Sequence, residues 1–356
     1  MRIRAHGAVV ALSVVFVSAA PRGDAAPVNP DLSVIGDIRG LWDDVTEEAS
    51  IELHEVEIGF VGPVNPYASA EVFLGIHGVD GIEVEEAKLV LDRYIPAGFG
   101  LTLGRKLLDF GQLNPVHAHA YPFLDRPLMH QEFFGDDGAA DIGARLDWLA
   151  PVDAVTLRAT AGVVRGDVLA GGHSHEEPAE GEEESEEDPE LATTGRVDLF
   201  VEASRNVSFL AGGSVLHGSP DAHEPDAKAT IACADAKVVC DLGPDRKLVV
   251  NAEAMFGTFD ATDEAPAVDP RGWFASADLR ASKRWNLGGF AGGTDERADD
   301  TVHTMRYGGF VGLALMEETT LFRAVVRRTD PDEGDGATEF LLQALFSLGP
   351  HRPHRY

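Results

Sequence analysis

Apolar and polar residues alternate with a period of two through much of the chain. In 196–204, Val197, Leu199, Val201 and Ala203 alternate with Arg196, Asp198, Glu202 and Ser204, which makes one strand face apolar and the other charged. Trp273, Ala275, Ala277, Leu279 and Ala281 oppose Ser276, Asp278, Arg280 and Ser282 in the same way, and Phe322, Ala324 and Val326 oppose Arg323 and Arg327. Ala68, Ala70, Val72, Leu74 and Ile76 oppose Ser69, Glu71 and His77. A water-soluble sandwich alternates too, but its strands usually run about five or six residues and turn their polar groups to solvent. These segments run about ten residues, the length of a strand that crosses a membrane at a tilt.

The connections alternate as well. Tight links at 62–65, 96–98, 151–153, 205–206, 243–245, 284–286 and 317–319 are interleaved with longer acidic or glycine-rich ones at 41–50, 78–81, 109–137, 166–194, 218–226, 258–272, 293–301 and 329–336. Short turns at one end and long loops at the other are the arrangement of bacterial outer-membrane barrels. Strands are predicted to begin near Ser33, Ile51, Tyr67, Glu83, Phe99, Ala139, Ala154, Gly195, Val207, Lys228, Lys247, Trp273, Leu287, Val302, Thr319 and Thr338. The expected fold is therefore all-β: a transmembrane antiparallel β-barrel of about sixteen strands, with both ends at the periplasmic side. The segment from Lys228 alternates poorly and holds Cys233, with Cys240 just beyond, so a count of fourteen stays open. On one straight strand those sulfurs would be more than about 20 Å apart, beyond disulfide reach. A bridge would require the segment to fold back as a loop, and both readings stand at this level.

At the start, Arg2 and Arg4 precede the apolar run Ala8 to Ala20, and Gly23, Ala25 and Ala26 follow. This is the pattern of a secretory signal over residues 1–25, leaving 26–356 as the barrel domain. Nowhere later do about eighteen consecutive apolar residues occur, so no helical span is expected. The chain carries 60 Asp plus Glu against 29 Lys plus Arg, a formal charge of −31. Loss of 1–25 would take that to about −33, the wrong sign for a nucleic-acid partner. No nucleophile elbow, His-Glu-x-x-His, phosphate loop or dinucleotide fingerprint is present, so an enzyme is not expected.

Three groups of residues could carry chemistry. The third long link, 109–137, holds His117, His119, Asp125, Arg126, His130 and Glu132 among Tyr121, Phe123, Phe133 and Phe134. Its prolines and aromatics predict an ordered loop. His117 and His119 project to one side of an extended chain and with His130 could ligate a divalent transition metal; hydrogen bonding within the loop is the alternative. In the disordered acidic loop 167–194, His173, His175, Glu176 and Glu177 open a long anionic run, a solvated fringe or a weak zinc-collecting site. On the polar faces lie Arg196, Asp198, Glu202, Asp278, Arg280, Arg306, Arg323 and Arg327, a mixed lining that would temper the cation preference set by the acidic loops. Lysine is scarce on these faces, which argues against a dedicated phosphate channel.

Phe340, Leu342, Ala344, Phe346 and Leu348 form a last alternating strand, followed by Gly349-Pro-His-Arg-Pro-His354. Together with 114–128, Val34-Ile-Gly-Asp-Ile-Arg39, Glu55-Val-Glu57 and Gly62-Pro-Val-Asn-Pro66, this end resembles a family of Gram-negative outer-membrane porin-like proteins. The resemblance covers most of the mature chain. It implies the fold of the phosphate-selective and general porin superfamily, an outer-membrane location, and a third loop, 109–137, folded inward to constrict the pore; some members carry names suggesting zinc-regulated uptake. The expected function is a porin for passive passage of small hydrophilic solutes, favouring cations or divalent metal. A zinc-binding uptake protein and a structural or adhesive surface barrel are the alternatives. No cofactor is required, with weakly bound Zn2+ the one candidate. The expected partners are outer-membrane lipid, the barrel-assembly machinery and small solutes or metal ions, with a homotrimer as one assembly open to the chain.

Overall fold

The computed structural model describes residues 29–349 except 79–80, 93–94, 153–154, 171–189, 222, 263–264 and 316–318. The predicted signal segment and the stretch containing His173, His175, Glu176 and Glu177 lie outside the described residues. The alternating segments form β1 (Asp31–Asp43), β2 (Ala49–Asn65), β3 (Ala68–Ile76), β4 (Ile82–Leu91), β5 (Phe99–Leu107), β6 (Ala140–Val152), β7 (Val155–Val164) and β8 (Ala192–Ser204). They continue as β9 (Val207–Gly218), β10 (Ala229–Gly243), β11 (Arg246–Phe259), β12 (Arg271–Arg280), β13 (Trp285–Asp295), β14 (His303–Ala314), β15 (Thr320–Pro331) and β16 (Ala337–Leu348). Every predicted start falls within three residues of the observed one.

Each strand pairs antiparallel with its neighbours, and β1 closes the ring on β16 from Val34 opposite Leu348 to Asp43 opposite Glu339. Closure leaves no edge, so every strand can satisfy its backbone groups without water. Outward side chains such as Val197, Leu199, Val326 and Leu342 are exposed and apolar. Exposed aromatics mark both rims: Trp42, Trp273, Tyr307 and Phe340 toward the long-loop end, Tyr67, Trp148, Trp285 and Phe322 toward the short-turn end. An apolar belt between aromatic girdles is the exterior of a barrel solvated by lipid.

The tenth strand is present, which removes the fourteen-strand count. Cys233 and Cys240 both lie on β10 as free thiols, so the bridged loop is excluded too. Its alternation is weak for a physical reason. Ala229, Ile231 and Cys233 face inward where they meet an apolar filling rather than water, while Ala232, Ala234 and Ala236 face outward.

Three register slips interrupt the regular pairing near the start of the barrel, one of them beside the β2–β3 turn at Pro63 and Asn65. Between β1 and β2 the slip leaves His54 with no partner opposite it, and between β3 and β4 it falls at Glu85. Such bulges re-aim side chains locally. Glu85 and Glu86, although consecutive, both turn toward the lumen.

Candidate functional site

The connection from β5 to β6 does not stay outside. Residues 108–139 fold into the barrel and pack against its wall, carrying one short α-helix, α1 (Leu128–Phe134). Apolar groups hold the segment down: Leu108, Phe110, Leu113, Tyr121, Phe123, Leu124, Met129, Phe133 and Phe134 are all buried. They meet inward apolar residues of β9 to β16, among them Leu216, Ile231, Met255, Phe274, Phe290, Phe310, Val325 and Leu341. Phe123 sits with its ring centroid 4.9 Å from Phe274 and 5.5 Å from Phe290, and stacks on Tyr121 at 5.3 Å. Each such pair adds about 0.5–1.5 kcal/mol beyond the area it buries.

Polar contacts then fix the loop's position. Fully buried Asn114 joins the two stems: its Nδ2 donates to the carbonyls of Leu108 (2.8 Å) and Ala139 (2.9 Å), and its Oδ1 accepts from the Ala139 N–H (2.8 Å). Glu253 of β11 accepts from the N–H groups of Gln112 (2.5 Å) and Leu113 (2.8 Å) and pairs with His130 at 2.8 Å. Gly111, at φ +64°, permits that approach, since a Cβ there would lie 2.8 Å from Glu253 Oε2. Asp125 bridges Arg39 of β1, at 2.7 Å, and Arg327 of β15. Burial resists ionisation of Asp125, but the charges of Arg327 and Arg39 outweigh it and hold the carboxyl below the usual range.

On the opposite side the loop presents two imidazoles to a group of glutamates. His117 Nδ1 lies 2.8 Å from Glu57 and 3.2 Å from Glu85, and its Nε2 lies 3.5 Å from Glu86. His119 Nδ1 lies 3.7 Å from Glu57 and 3.9 Å from Glu55. Lys88 pairs with Glu86 at 2.6 Å and with Glu71 at 3.4 Å. Burial acts against a charge on His117, yet attraction to Glu57 and hydrogen bonding with Glu57, Glu85 and Glu86 raise its pKa well above the ordinary imidazole value.

Beneath the loop, toward the short-turn end, a cavity of about 810 Å³ runs along β1 to β10. Gly111, Gln112, Val116 and His117 roof it, and its walls carry Lys88, Lys106, Arg145, Arg158, Arg196 and Lys237 with Asp31, Glu71, Glu86, Asp92, Asp109 and Asp198. The free lumen is therefore off-centre, because the loop packs its apolar groups mainly against β9–β16.

Comparison with solved structures identifies this architecture. An anion-selective porin from Comamonas acidovorans superposes with a TM-score of 0.59 at 10% identity, over 90% of this chain and 99% of that one. The fold is that of the outer-membrane porins. The trimer form of OmpT, an outer membrane protein of Vibrio cholerae, gives 0.59 at 11% identity over 90% of this chain and all of that one. The outer membrane channel DcaP of Acinetobacter baumannii gives 0.53 at 11% identity over 92% and 99%. This porin fold, with its apolar belt, places the chain in a Gram-negative outer membrane. In sequence, the chain is 27% identical over 266 residues to an uncharacterized protein of Aquifex aeolicus strain VF5; the match takes in 69% of the chain and spans about half, 55%, of that relative's length. No protein-family model matches.

The residues singled out in the sequence have separate places in this arrangement. Arg196, Asp198, Asp278, Arg306, Arg323 and Arg327 face the interior, while Glu202 and Arg280 are exposed near the short-turn rim. Arg196 pairs with Asp198 and with Asp235 (2.6 Å), Arg323 donates to the His119 carbonyl (2.9 Å), and Arg306 to Gln131 (3.2 Å). The arginines thus brace wall and loop. Arg126 is buried within the loop against Tyr121, and Glu132 accepts from the Arg297 N–H of the β13–β14 connection. The grouping of His117 and His119 with His130 is corrected: α1 carries His130 to Glu253, and the partners of the other two are carboxylates. Glu55, Glu57, Glu85, Glu86 and Glu253 were not selected as partners of these histidines in the sequence. The Glu55-Val-Glu57 spacing signals a shared face, whereas the bulge at Glu85 leaves no mark in the residue pattern.

Proposed function

We propose that this barrel is a porin-like channel through which small hydrophilic solutes pass passively, along the off-centre space under the inward loop. The observation that carries the reading is the cavity of about 810 Å³, lined by charged side chains among apolar ones and enclosed by a membrane barrel. Its walls hold as many basic as acidic side chains, so the strong net charge of −31 acts mainly through the loops at the mouth. The resulting cation preference is moderate and depends on salt, since about 1 M salt shortens the Debye length to about 3 Å. Assembly as a homotrimer belongs to the same proposal, supported by the trimer form of the Vibrio cholerae neighbour.

Planar-bilayer recording on the purified chain tests this. Discrete conductance steps are expected, with a reversal potential on the cation side at about 0.05 M salt that shrinks toward zero near 1 M. An inserted, heat-modifiable barrel with no steps would leave a structural surface role instead. Anion selectivity at low salt would show that the lumen arginines and lysines dominate the loops.

A further inference from the structure

Several glutamates from two strands converge on His117 and His119. Lys88 already engages Glu86 and Glu71, at 2.6 and 3.4 Å. That leaves Glu55, Glu57 and Glu85 around the two imidazoles, with Glu55 and Glu57 buried among protein atoms. Ligand-type atoms of Glu57, Glu85 and His117 lie within 4.8 Å of one another, and so do those of Glu55, Glu57 and His119. Glu57 stands in both groups. The donors come from separate elements, β2, β4 and the inward loop, and the bulge at Glu85 is what adds the second strand's carboxylate. His117 also lines the cavity, which gives an ion from solution a route to the site.

We propose that His117, Glu57 and Glu85 bind one divalent transition-metal ion at the roof of the cavity, with His119 and Glu55 extending the donor set. The chemistry follows from the ligands. Mixed imidazole and carboxylate donors suit Zn2+ and its first-row neighbours, whereas Mg2+ and Ca2+ take oxygen-only sets. A divalent ion there would place two positive charges among three carboxylates, which lowers the electrostatic cost of keeping them together. Because the ligands span loop and wall, the bound ion would tie 108–139 to β2 and β4. The proposal concerns binding and stands apart from whether the barrel conducts.

The test uses full-length protein in detergent, stripped with chelator, and measures Zn2+ by calorimetry and Co2+ by visible absorption. Saturable Zn2+ binding and a cobalt spectrum with nitrogen and oxygen ligation are expected. In His117→Ala or Glu57→Gln, affinity should fall at least about tenfold, since loss of even an outer-shell partner of a metal ligand typically costs about 10–100-fold. Removal of 171–189 should leave the affinity unchanged. Circular dichroism and the heat-dependent gel shift check that each variant is folded, and the wild-type cobalt spectrum stands without any variant. Absence of saturable Zn2+ binding overturns the proposal, as does binding that survives in His117→Ala plus His119→Ala or disappears with 171–189. Conductance without metal binding would leave the channel reading intact and refute this one alone.

Discussion

Asp125 shows how a single carboxylate can locate a loop. It is held by Arg39 and Arg327, and each arginine keeps a further partner, Asp37 at 2.9 Å and Glu339 at 2.6 Å. Its carboxyl titrates below the ordinary value of about 3.9, so its contribution is complete above that pH and is lost as pH falls through the lowered folded value. The loop's anchoring should therefore hold steady from neutral pH to about 4 and loosen only below that. Asp125→Asn should produce the acid behaviour at neutral pH, at a cost of about 1–3 kcal/mol for stranding buried donors. Hydrogen exchange across 120–130 measures it; exchange equal to wild type would mean that apolar packing alone places the loop. At this scale the sequence is partly legible. Period two reveals that Glu55 and Glu57 share a face, but the phase shift at Glu85 and the detour of His130 through α1 depend on pairing across strands.

The inward loop is one unit because its stems are fastened to each other before either meets the wall. Asn114 does this with three hydrogen bonds at zero exposure. Asn114→Ala would strand the buried Ala139 N–H, at about 1–3 kcal/mol, while the carbonyls of Leu108 and Ala139 keep their backbone donors, Phe110 N–H and Leu108 N–H. The expected result is faster hydrogen exchange and proteolysis within 108–139 while the barrel keeps its heat-dependent gel shift. A loop as protected as wild type would show that the aromatic contacts of Phe123 and Phe133 suffice. The strands themselves were readable because lipid outside and polar lumen inside impose alternation. The resting place of the loop was written there too, as exceptions: Phe274, Phe290, Phe310, Val325 and Leu341 are apolar on the inward phase. Taken strand by strand these look like noise, and only the closed ring brings them onto one side.

Across the whole molecule, sixteen strands close a cylinder whose contents are unevenly shared. The loop packs its apolar groups mainly against β9–β16, and the barrel is hollow below it along β1–β10. The hollow lies toward the short turns, while the loop sits nearer the other end, from which the long acidic connections depart. A charged conduit that is wide at one end and narrow at the other does not treat the two directions of current alike. Counter-ions accumulate in the chamber under one polarity and drain from it under the other, because fixed charge in a confined space controls the local ion concentration. Single barrels inserted in one orientation should therefore rectify at about 0.1 M salt and become symmetric near 1 M, where screening shortens to about 3 Å. A current–voltage curve that is straight at low salt would mean that the loop is not where the resistance lies. In electrical terms, a lumen narrow at one end and wide at the other makes the molecule a leaky diode, poled by the direction in which the barrel was inserted.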